Sequence, residues 1–399
     1  MNKKKWIGWT IALLLITNTL TYLGSNIIPL AMPNGNVVVS KQDYNNLVQF
    51  NKLFQIKDII YERYDGEINE KDLEEGAIKG LANSLKDPYT VFMTKKEYDD
   101  FNTQTEGNYS GVGIQVQAKN DKIIIVDIFE ESPARKAGVL PKDEIEKVND
   151  IPVSGSELDK AVSLMKGIEG TEVKLTLYRQ DKGNFDVTLK RAKINLKTVA
   201  GQMIDENTAL IQVTMFDENT AKNFKSELDK LKSQGMKGLI LDLRGNPGGI
   251  LDECVDMVSN FVPRGKTIVS TIDKYKSEQK YKSKGGNYVG LPLVVLTNEG
   301  SASASEIFVG AIRDYKIGTL VGEKTFGKGV VQTLYETGEG TALKITISKY
   351  YTPNGENIHK KGIKPDVEVK YPEELLKKPY SREEDPQFKK ALEIVKEKI

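Results

Sequence analysis

A multi-domain α+β chain is predicted by three observations. The chain has 399 residues, which points to roughly two or three domains of about 100–200 residues each. Its hydrophobic pattern changes character twice, from helical spacing over 41–104, to short glycine-punctuated strands over 110–192, to strand–helix alternation from about 194 onward. Its 39% hydrophobic content can fill several cores without disulfide support.

Residues 6–40 contain no Asp, Glu, Lys or Arg, and 6–31 are mostly apolar behind Lys3, Lys4 and Lys5. A span of about 20 apolar residues crosses a hydrocarbon core of roughly 30 Å. A basic flank stays in the cytoplasm. Residues 1–40 therefore read as a cytoplasmic basic tip and a single-pass anchor in the cell membrane, with everything after residue 40 extracytoplasmic. A cleaved signal peptide is the alternative, although the run is long for one and no convincing Ala-x-Ala site follows. Scarce cysteine in an exported chain fits a bacterial cell envelope.

Residues 41–105 read as helical. Leu47, Phe50, Leu53, Phe54, Ile59 and Ile60 recur at helical spacing. A second helix over about 70–85 carries Leu73, Ala77, Ile78, Leu81 and Leu85, and is expected to stop at Lys86-Asp87-Pro88. The polar stretch 102–109 reads as a linker. Residues 106–192 form a compact α+β module, with strands expected at 111–116, 122–129, 144–148 and 173–178 and helices after Ser132-Pro133 and over 156–165. From 193 to 368, strands at 209–215, 238–243 and 293–297 alternate with helices at 219–234, 250–261 and 303–314. This implies a parallel or mixed α/β core. The tail, 369–399, ends in an amphipathic helix with Phe388, Leu392, Val395 and Ile399.

Composition removes several functions. One cysteine, Cys254, excludes an intramolecular disulfide and a multi-Cys zinc site. One histidine, His359, excludes His-rich metal sites. No metal or other cofactor is expected. Net charge is +1, and 8 Arg stand against 49 Lys. That gives no basic field for nucleic acid and few residues suited to reading bases or phosphates.

In open α/β sheets, sites form at the carboxyl ends of strands, and two such ends stand out. The first is Leu243-Arg244-Gly245-Asn246-Pro247-Gly248-Gly249, whose glycines let backbone N–H groups point at an anion or a developing oxyanion. A tight turn alone would also explain them. The second is Asn298-Glu299-Gly300-Ser301-Ala302-Ser303-Ala304-Ser305-Glu306. There a serine could act as nucleophile at a helix start, or the small residues could serve only capping and packing. A serine nucleophile needs a base. His359 lies in a polar segment and reads as a surface residue, which argues against a triad. A lysine base must be held neutral by burial or nearby cations. Lys328, between glycines in Thr325-Phe326-Gly327-Lys328-Gly329-Val330-Val331-Gln332, is suited to folding inward, but composition does not choose it among 49 lysines.

Those two segments, with Leu241–Gly249 and Tyr350-Tyr351-Thr352-Pro353-Asn354-Gly355, closely resemble the carboxy-terminal processing peptidases, or tail-specific proteases. The resemblance covers about residues 45–370. It implies a PDZ-like domain at 106–192 and, at 193–368, a protease core similar to the crotonase-like fold. It also implies a Ser-Lys dyad, with Ser303 as nucleophile, Lys328 as general base and Gln332 orienting the lysine. The oxyanion hole would use the N–H of Ala304 and that of Gly248 or Gly249. Ser301 and Ser305 would be structural. Glu306 and Asp314 match residues common in the family and are open between function and scaffold. Gly111-Val112-Gly113-Ile114 resembles the carboxylate-binding loop of a PDZ groove, where a protein or peptide C-terminus adds as a strand.

The family implies that this groove gates the protease. The N-terminal helices and the C-terminal helix resemble segments that dimerise relatives, and both also fit ordinary packing helices. A homodimer and an activating partner protein both stay open. The reading is thus a membrane-anchored serine endopeptidase acting on exported proteins through their C-termini. One competitor is an anchored PDZ scaffold with a silent protease-like domain, against which intact Ser303, Lys328 and Gln332 stand. The other is an acyl-CoA enzyme, for which no nucleotide-binding signature is present.

Overall fold

The computed structural model describes Trp9 and residues 12–18, 30–31, 37–38 and 39–399. Most of the expected anchor at 6–31 lies outside the described residues. Among the described residues, no helix is long and apolar enough to cross a membrane. The chain divides into two compact units, Met1–Ala77 and Ile78–Ile399.

In the first unit, the helix Lys41–Arg63 starts at Ser40, whose side chain accepts from the Asp43 amide. It buries none of its residues, and Leu47, Phe50, Leu53 and Phe54 lie exposed. The helix Glu70–Asn83 follows, and the division at Ala77 falls within it, so what comes after Ala77 belongs to the second unit. The helix stops before Lys86-Asp87-Pro88 because Asp87 makes a turn instead, accepting from the Tyr89 amide at 3.1 Å and from Thr90 Oγ1 at 2.7 Å. The short strand Val91–Met93 then begins.

The linker expected at 102–109 is not a linker. A third helix, Lys95–Glu106, runs through its first half, and the strand Asn108–Gly111 takes up most of the rest. Local capping overrides the polar composition. Thr94 and Glu97 form a reciprocal capping box, and Gly107 at φ 66° closes the helix in the left-handed region.

In the second unit, residues 106–192 form an antiparallel sheet in the order Gly183–Lys190, Glu172–Arg179, Glu144–Val148, Lys122–Ile128, Ile114–Lys119, with Ile151–Pro152 beside Glu144–Val148. Alternation along these strands buries Ile123, Ile125, Ile145, Leu175 and Leu177 in the module's own core. The segments leading into and out of the module pair with each other. Ala192–Asn195 runs antiparallel to Asn108–Gly111, forming a two-stranded neck.

The second core is built on a mixed sheet in the order Val199–Met203, Thr208–Val213, Gly238–Asp242, Leu293–Thr297, Thr319–Gly322, Val367–Glu368. Its first pair is antiparallel and the rest parallel. Both faces are covered, as a parallel sheet requires. Leu239, Leu241, Leu293 and Val295 share a core with the helices Thr220–Ser233, Leu251–Ser259 and Ala304–Tyr315. Ile240, Val294 and Leu296 point the other way, against Phe388, Ala391 and Val395 of the tail helix Pro386–Glu397. A third sheet, absent from the sequence reading, orders Glu278–Lys282, Thr267–Asp273, Thr341–Tyr351 and Val330–Gly338, with Val91–Met93 also on Thr341–Tyr351.

The tail is tied to the core by a buried ion network. Arg244 donates from Nε and Nη2 to the two Asp242 oxygens at 3.0 and 2.7 Å, and from Nη1 to Asp385 Oδ2 at 2.8 Å and Gln387 Oε1 at 2.9 Å. Burial disfavours its charge, but Asp242 and Asp385 outweigh that and push its pKa up. Asp385 Oδ1 also caps the tail helix by accepting from the Gln387 and Phe388 amides. Removing the guanidinium leaves two buried carboxylates without a cation. Arg244→Ala is expected to cost about 3–5 kcal/mol in denaturant unfolding, and unchanged stability would refute this account.

Candidate active site

The strands Gly238–Asp242 and Leu293–Thr297 are parallel neighbours, so the two turns singled out in the sequence leave the sheet side by side. Short side chains lock one to the other. Ser301 Oγ donates to the Leu243 carbonyl at 2.8 Å, and Ser305 Oγ to the Asn246 carbonyl at 3.0 Å. The Gly245 amide donates to Asn298 Oδ1 at 2.9 Å. Two of the three serines are therefore engaged in holding turns together, and both are fully buried.

Ser303 differs. It sits at φ 54°, ψ −115° immediately before the helix Ala304–Tyr315. A non-glycine residue with positive φ is held there only by its surroundings. Gly248 packs so close that a Cβ on it would lie 2.8 Å from Ser303 Cβ and 2.9 Å from the Ala304 nitrogen. The Gly248 amide donates to Asn246 Oδ1 at 2.8 Å. The amides of Gly249 and Ala304 have no acceptor among the described residues.

Glu306 holds this arrangement. It is fully buried and accepts four hydrogen bonds. Oε1 takes Thr325 Oγ1 at 2.6 Å and the Gly327 amide at 2.7 Å, while Oε2 takes the Lys328 amide at 2.8 Å and the Ser303 amide at 3.0 Å. Burial pushes its carboxyl above the ordinary value even against these donors. One side chain thus fixes the serine turn to the lysine loop.

Ser303, Ala304, Gly248, Gly249, Lys328 and Gln332 line one cleft of about 370 Å³. Lys328 turns inward, with Nζ 4.9 Å from the Tyr89 ring centroid. Burial first, and the Lys344 charge second, hold its pKa below 10.5, against the opposing pull of Asp87 and Glu306. Gln332 donates from Nε2 to Thr346 Oγ1 at 3.3 Å, so its amide is oriented by the neighbouring strand. Tyr350, almost fully buried, donates from its hydroxyl to the Ser303 carbonyl at 3.1 Å. Asp314 is tied to Arg313 and the Asn354 amide, outside the cleft. Cys254 donates from Sγ to the Ala304 carbonyl, and burial pushes its thiol up, which makes it a poor nucleophile.

His359 is not the surface residue expected. It is partly buried, edge-on to Tyr89 at 6.2 Å, and its Nδ1 is enclosed with no partner. Its backbone packs over Gly329, where a Cβ would meet the His359 nitrogen at 2.6 Å. It does not line the cleft.

A second, smaller cavity of about 120 Å³ lies in the 106–192 module. It brings Gly111, Val112, Gly113 and Ile114 together with Val162 and Met165. Gly113 sits at φ 75° with Ser132 where its Cβ would be, so the loop needs glycine there. The helix Lys95–Glu106 touches both regions. Lys96 pairs with Asp159 at 2.8 Å and Asp100 with Lys166 at 3.3 Å, while Phe101 and Gln104 line the cleft.

Phe101, Lys344 and Tyr350 escaped the sequence reading as cleft residues, and so did Tyr89, which lies under Lys328. They come from a helix, a strand and a loop far from Ser303 in the chain, and no local pattern marks them.

The family model for peptidase family S41 matches residues 207–369, that for the PDZ domain 110–190, and that for the activating protease CtpB N-terminal domain 14–97. The carboxy-terminal processing protease CtpA of Bacillus subtilis is 40% identical over 347 residues, 87% of this chain and 74% of that protein. A CtpA-like serine protease of Staphylococcus aureus (strain COL) is 38% identical over 374 residues, 92% of this chain and 73% of that protein. A solved structure described as an S41 protease, from Bacteroides fragilis, matches with a TM-score of 0.52 at 16% identity, covering 84% of this chain and 92% of that one. That last likeness concerns the fold alone.

The Glu306 clamp is testable. A glutamine in its place has one acceptor oxygen and an NH₂ group that would face N–H donors. Glu306→Gln is expected to lower stability by about 1–3 kcal/mol and to cut kcat more than it changes KM. A variant with wild-type kcat would show that the clamp is dispensable.

Proposed function

The chain belongs to peptidase family S41, as a serine-type carboxy-terminal processing endopeptidase with a PDZ domain, and from this premise we propose that Ser303 and Lys328 form its catalytic dyad. The observation that carries the reading is a single cleft holding Ser303 on a strained turn, an inward-turned Lys328 with a depressed pKa, and two amides without acceptors. Neutral Lys328 takes the proton from Ser303 Oγ as the oxygen attacks the scissile carbonyl. The tetrahedral oxyanion accepts from the amides of Ala304 and Gly249, since that of Gly248 is already engaged by Asn246. Lys328 then passes its proton to the leaving amine, and water hydrolyses the acyl-enzyme. Gln332 orients Lys328 once substrate displaces its bond to Thr346.

Substrate C-termini would enter the PDZ cavity at Gly111-Val112-Gly113-Ile114, with loop amides meeting the terminal carboxylate and the peptide adding as a strand. The helix Lys95–Glu106 supports gating by this event. Its ion pairs to the PDZ domain are exposed, and such pairs contribute about 0–1 kcal/mol each, so peptide binding can exchange them cheaply while Phe101 moves in the cleft.

The rest of the reading concerns setting. The apolar, charge-free 6–40 stretch behind three lysines supports a cell-membrane anchor with the protease extracytoplasmic. The exposed apolar face of Lys41–Arg63 supports a homodimer or an activating partner protein seated on it. The parallel sheet with the nucleophile at a helix start supports a crotonase-like core.

The test is cleavage of casein by the full chain across pH 6–10, with and without an apolar C-terminal peptide. Ser303→Ala and Lys328→Ala are expected to lose activity at least 10³-fold, an order of magnitude typical of losing a nucleophile or base. Because the neutral lysine is the active form, wild-type activity should rise with pH through the depressed Lys328 pKa and level off above it. Peptide should stimulate the wild type. Residual activity in Ser303→Ala would show the nucleophile to be another group.

A further inference from the structure

The cleft contains a second lysine that this chemistry does not use. Lys344 lies on the strand Thr341–Tyr351, paired with Leu334 on one side and Val91 on the other. Two residues on, Thr346 faces Gln332 and accepts its amide hydrogen. Residues two apart on a strand share a face, so Lys344 and Thr346 both project to the cleft side, and Lys344 lines the same cleft as Ser303 and Lys328. Its Nζ rests 5.1 Å from the Phe101 ring centroid. Lys344 is half-buried, and no carboxylate pairs with it among the described residues.

Lys328 is in the same condition, set over Tyr89 without an ion pair. Its nearby anions are committed elsewhere. Glu306 is saturated by its four donors. Asp87 accepts from Thr90 and the Tyr89 amide. The other titratable side chains of this region are Tyr89, Tyr350 and, beside Tyr89, His359, whose protonation is disfavoured by burial and by Lys360 and Lys349; the neutral polar groups Ser303 and Gln332 line the same cleft. Around Lys344 the cleft contributes Phe101, Gln104 and Leu334, and the charged group on the same face of the neighbouring strand is Glu336, opposite Ala342, which is exposed and accepts from the Tyr98 hydroxyl at 3.2 Å. Two ammonium groups in one partly dehydrated space repel each other, and the shared charge is reduced most readily by one of them losing its proton.

We propose that Lys344 is a positioning residue of the protease that acts through Lys328, keeping that lysine in its neutral, basic form by like-charge repulsion across the cleft. The inference rests on the Ser303–Lys328 reading. Lys344 itself touches no reacting atom. Burial lowers the Lys344 pKa as well, so the two ammonium groups compete for the same relief, and Lys344 keeps its Nζ over the Phe101 ring. The charge of Lys344 also lowers the Lys328 pKa, next in size after burial itself. A consequence is that the helix Lys95–Glu106 enters the chemistry, because Phe101 holds the second cation in place.

The test is the pH dependence of kcat/KM for casein cleavage in Lys344→Met, Lys344→Arg and wild type. Lys344→Met keeps the length of the side chain and removes its charge. Its alkaline-rising limb is expected to move to higher pH by about half a unit or more, a loss of ~3-fold at a pH on the limb, with activity recovering towards the wild-type plateau above it. Lys344→Arg should keep the limb where wild type has it. A limb that stays in place in Lys344→Met, or a rise in KM equal at every pH, would overturn the proposal, the second outcome making Lys344 a substrate contact. Lys344→Gln replaces Lys344→Met if that variant does not fold.

A readout without turnover uses the Ser303→Ala protein. The pH at which Lys328 is half-labelled by an amine-reactive acetylating reagent, followed by mass spectrometry, should rise when Lys344→Met is added. No rise refutes the proposal. Activity surviving in Ser303→Ala or Lys328→Ala would instead refute the dyad on which it rests. The two failures therefore look different.

Discussion

A buried carboxylate with four hydrogen bonds is the constraint on which the site depends. Glu306 collects the Ser303 amide, the Lys328 amide, the Gly327 amide and the Thr325 hydroxyl around two oxygens. The serine turn and the lysine loop come from different parts of the chain, and without a common acceptor each would have its own freedom. An unpaired carboxylate in this position would be expensive, so every donor is needed. The Ser303 amide, at positive φ, is met by Glu306 Oε2 at 3.0 Å.

The electrostatics of the cleft follow from what the composition withholds. The one histidine of the chain is edge-on to Tyr89 and does not line the cleft, so the proposed mechanism places the base on a lysine. A lysine is a base only where its charge is disfavoured. The fold supplies an aromatic face in place of a carboxylate, saturates the nearby acids with hydrogen bonds, and sets a second cation in the same space. Charge is treated differently on the far side of the catalytic turn. There Arg244 is enclosed with Asp242 and Asp385, and full pairing makes a strut between the core and the tail helix.

Recognition and catalysis are built on separate cores joined by thin connections. The PDZ domain hangs on a two-stranded neck, and the helix Lys95–Glu106 adds exposed ion pairs to it at Asp159 and Lys166. The contacts in this position are exposed ion pairs, whereas the sheet beneath Ser303 is buried on both faces.

Most of the regular skeleton was legible in the sequence, because periodicity is a local property. The strands Glu144–Val148 and Leu293–Thr297 and the helix following Ser303 follow directly from alternation and from glycine or small-residue punctuation. The motifs around Ser303 and Lys328 likewise pointed to the peptidase family through their resemblance to it. What failed locally was composition taken at face value. A polar stretch at 102–106 is helix because Thr94, Glu97 and Gly107 cap it. The strands Val330–Gly338 and Thr341–Tyr351 look too polar for a core because one of their faces lines a cleft. The sequence by itself therefore determined most of the elements and marked Ser303 and Lys328 as candidate nucleophile and candidate base, all written in neighbouring residues. Only the tertiary structure decided which anion clamps them, which amides stay without acceptors, that Tyr89 lies under Lys328, and that Phe101 and Lys344 share its cleft. Those facts are distances between residues far apart in the chain, and they exist only once the sheets have closed.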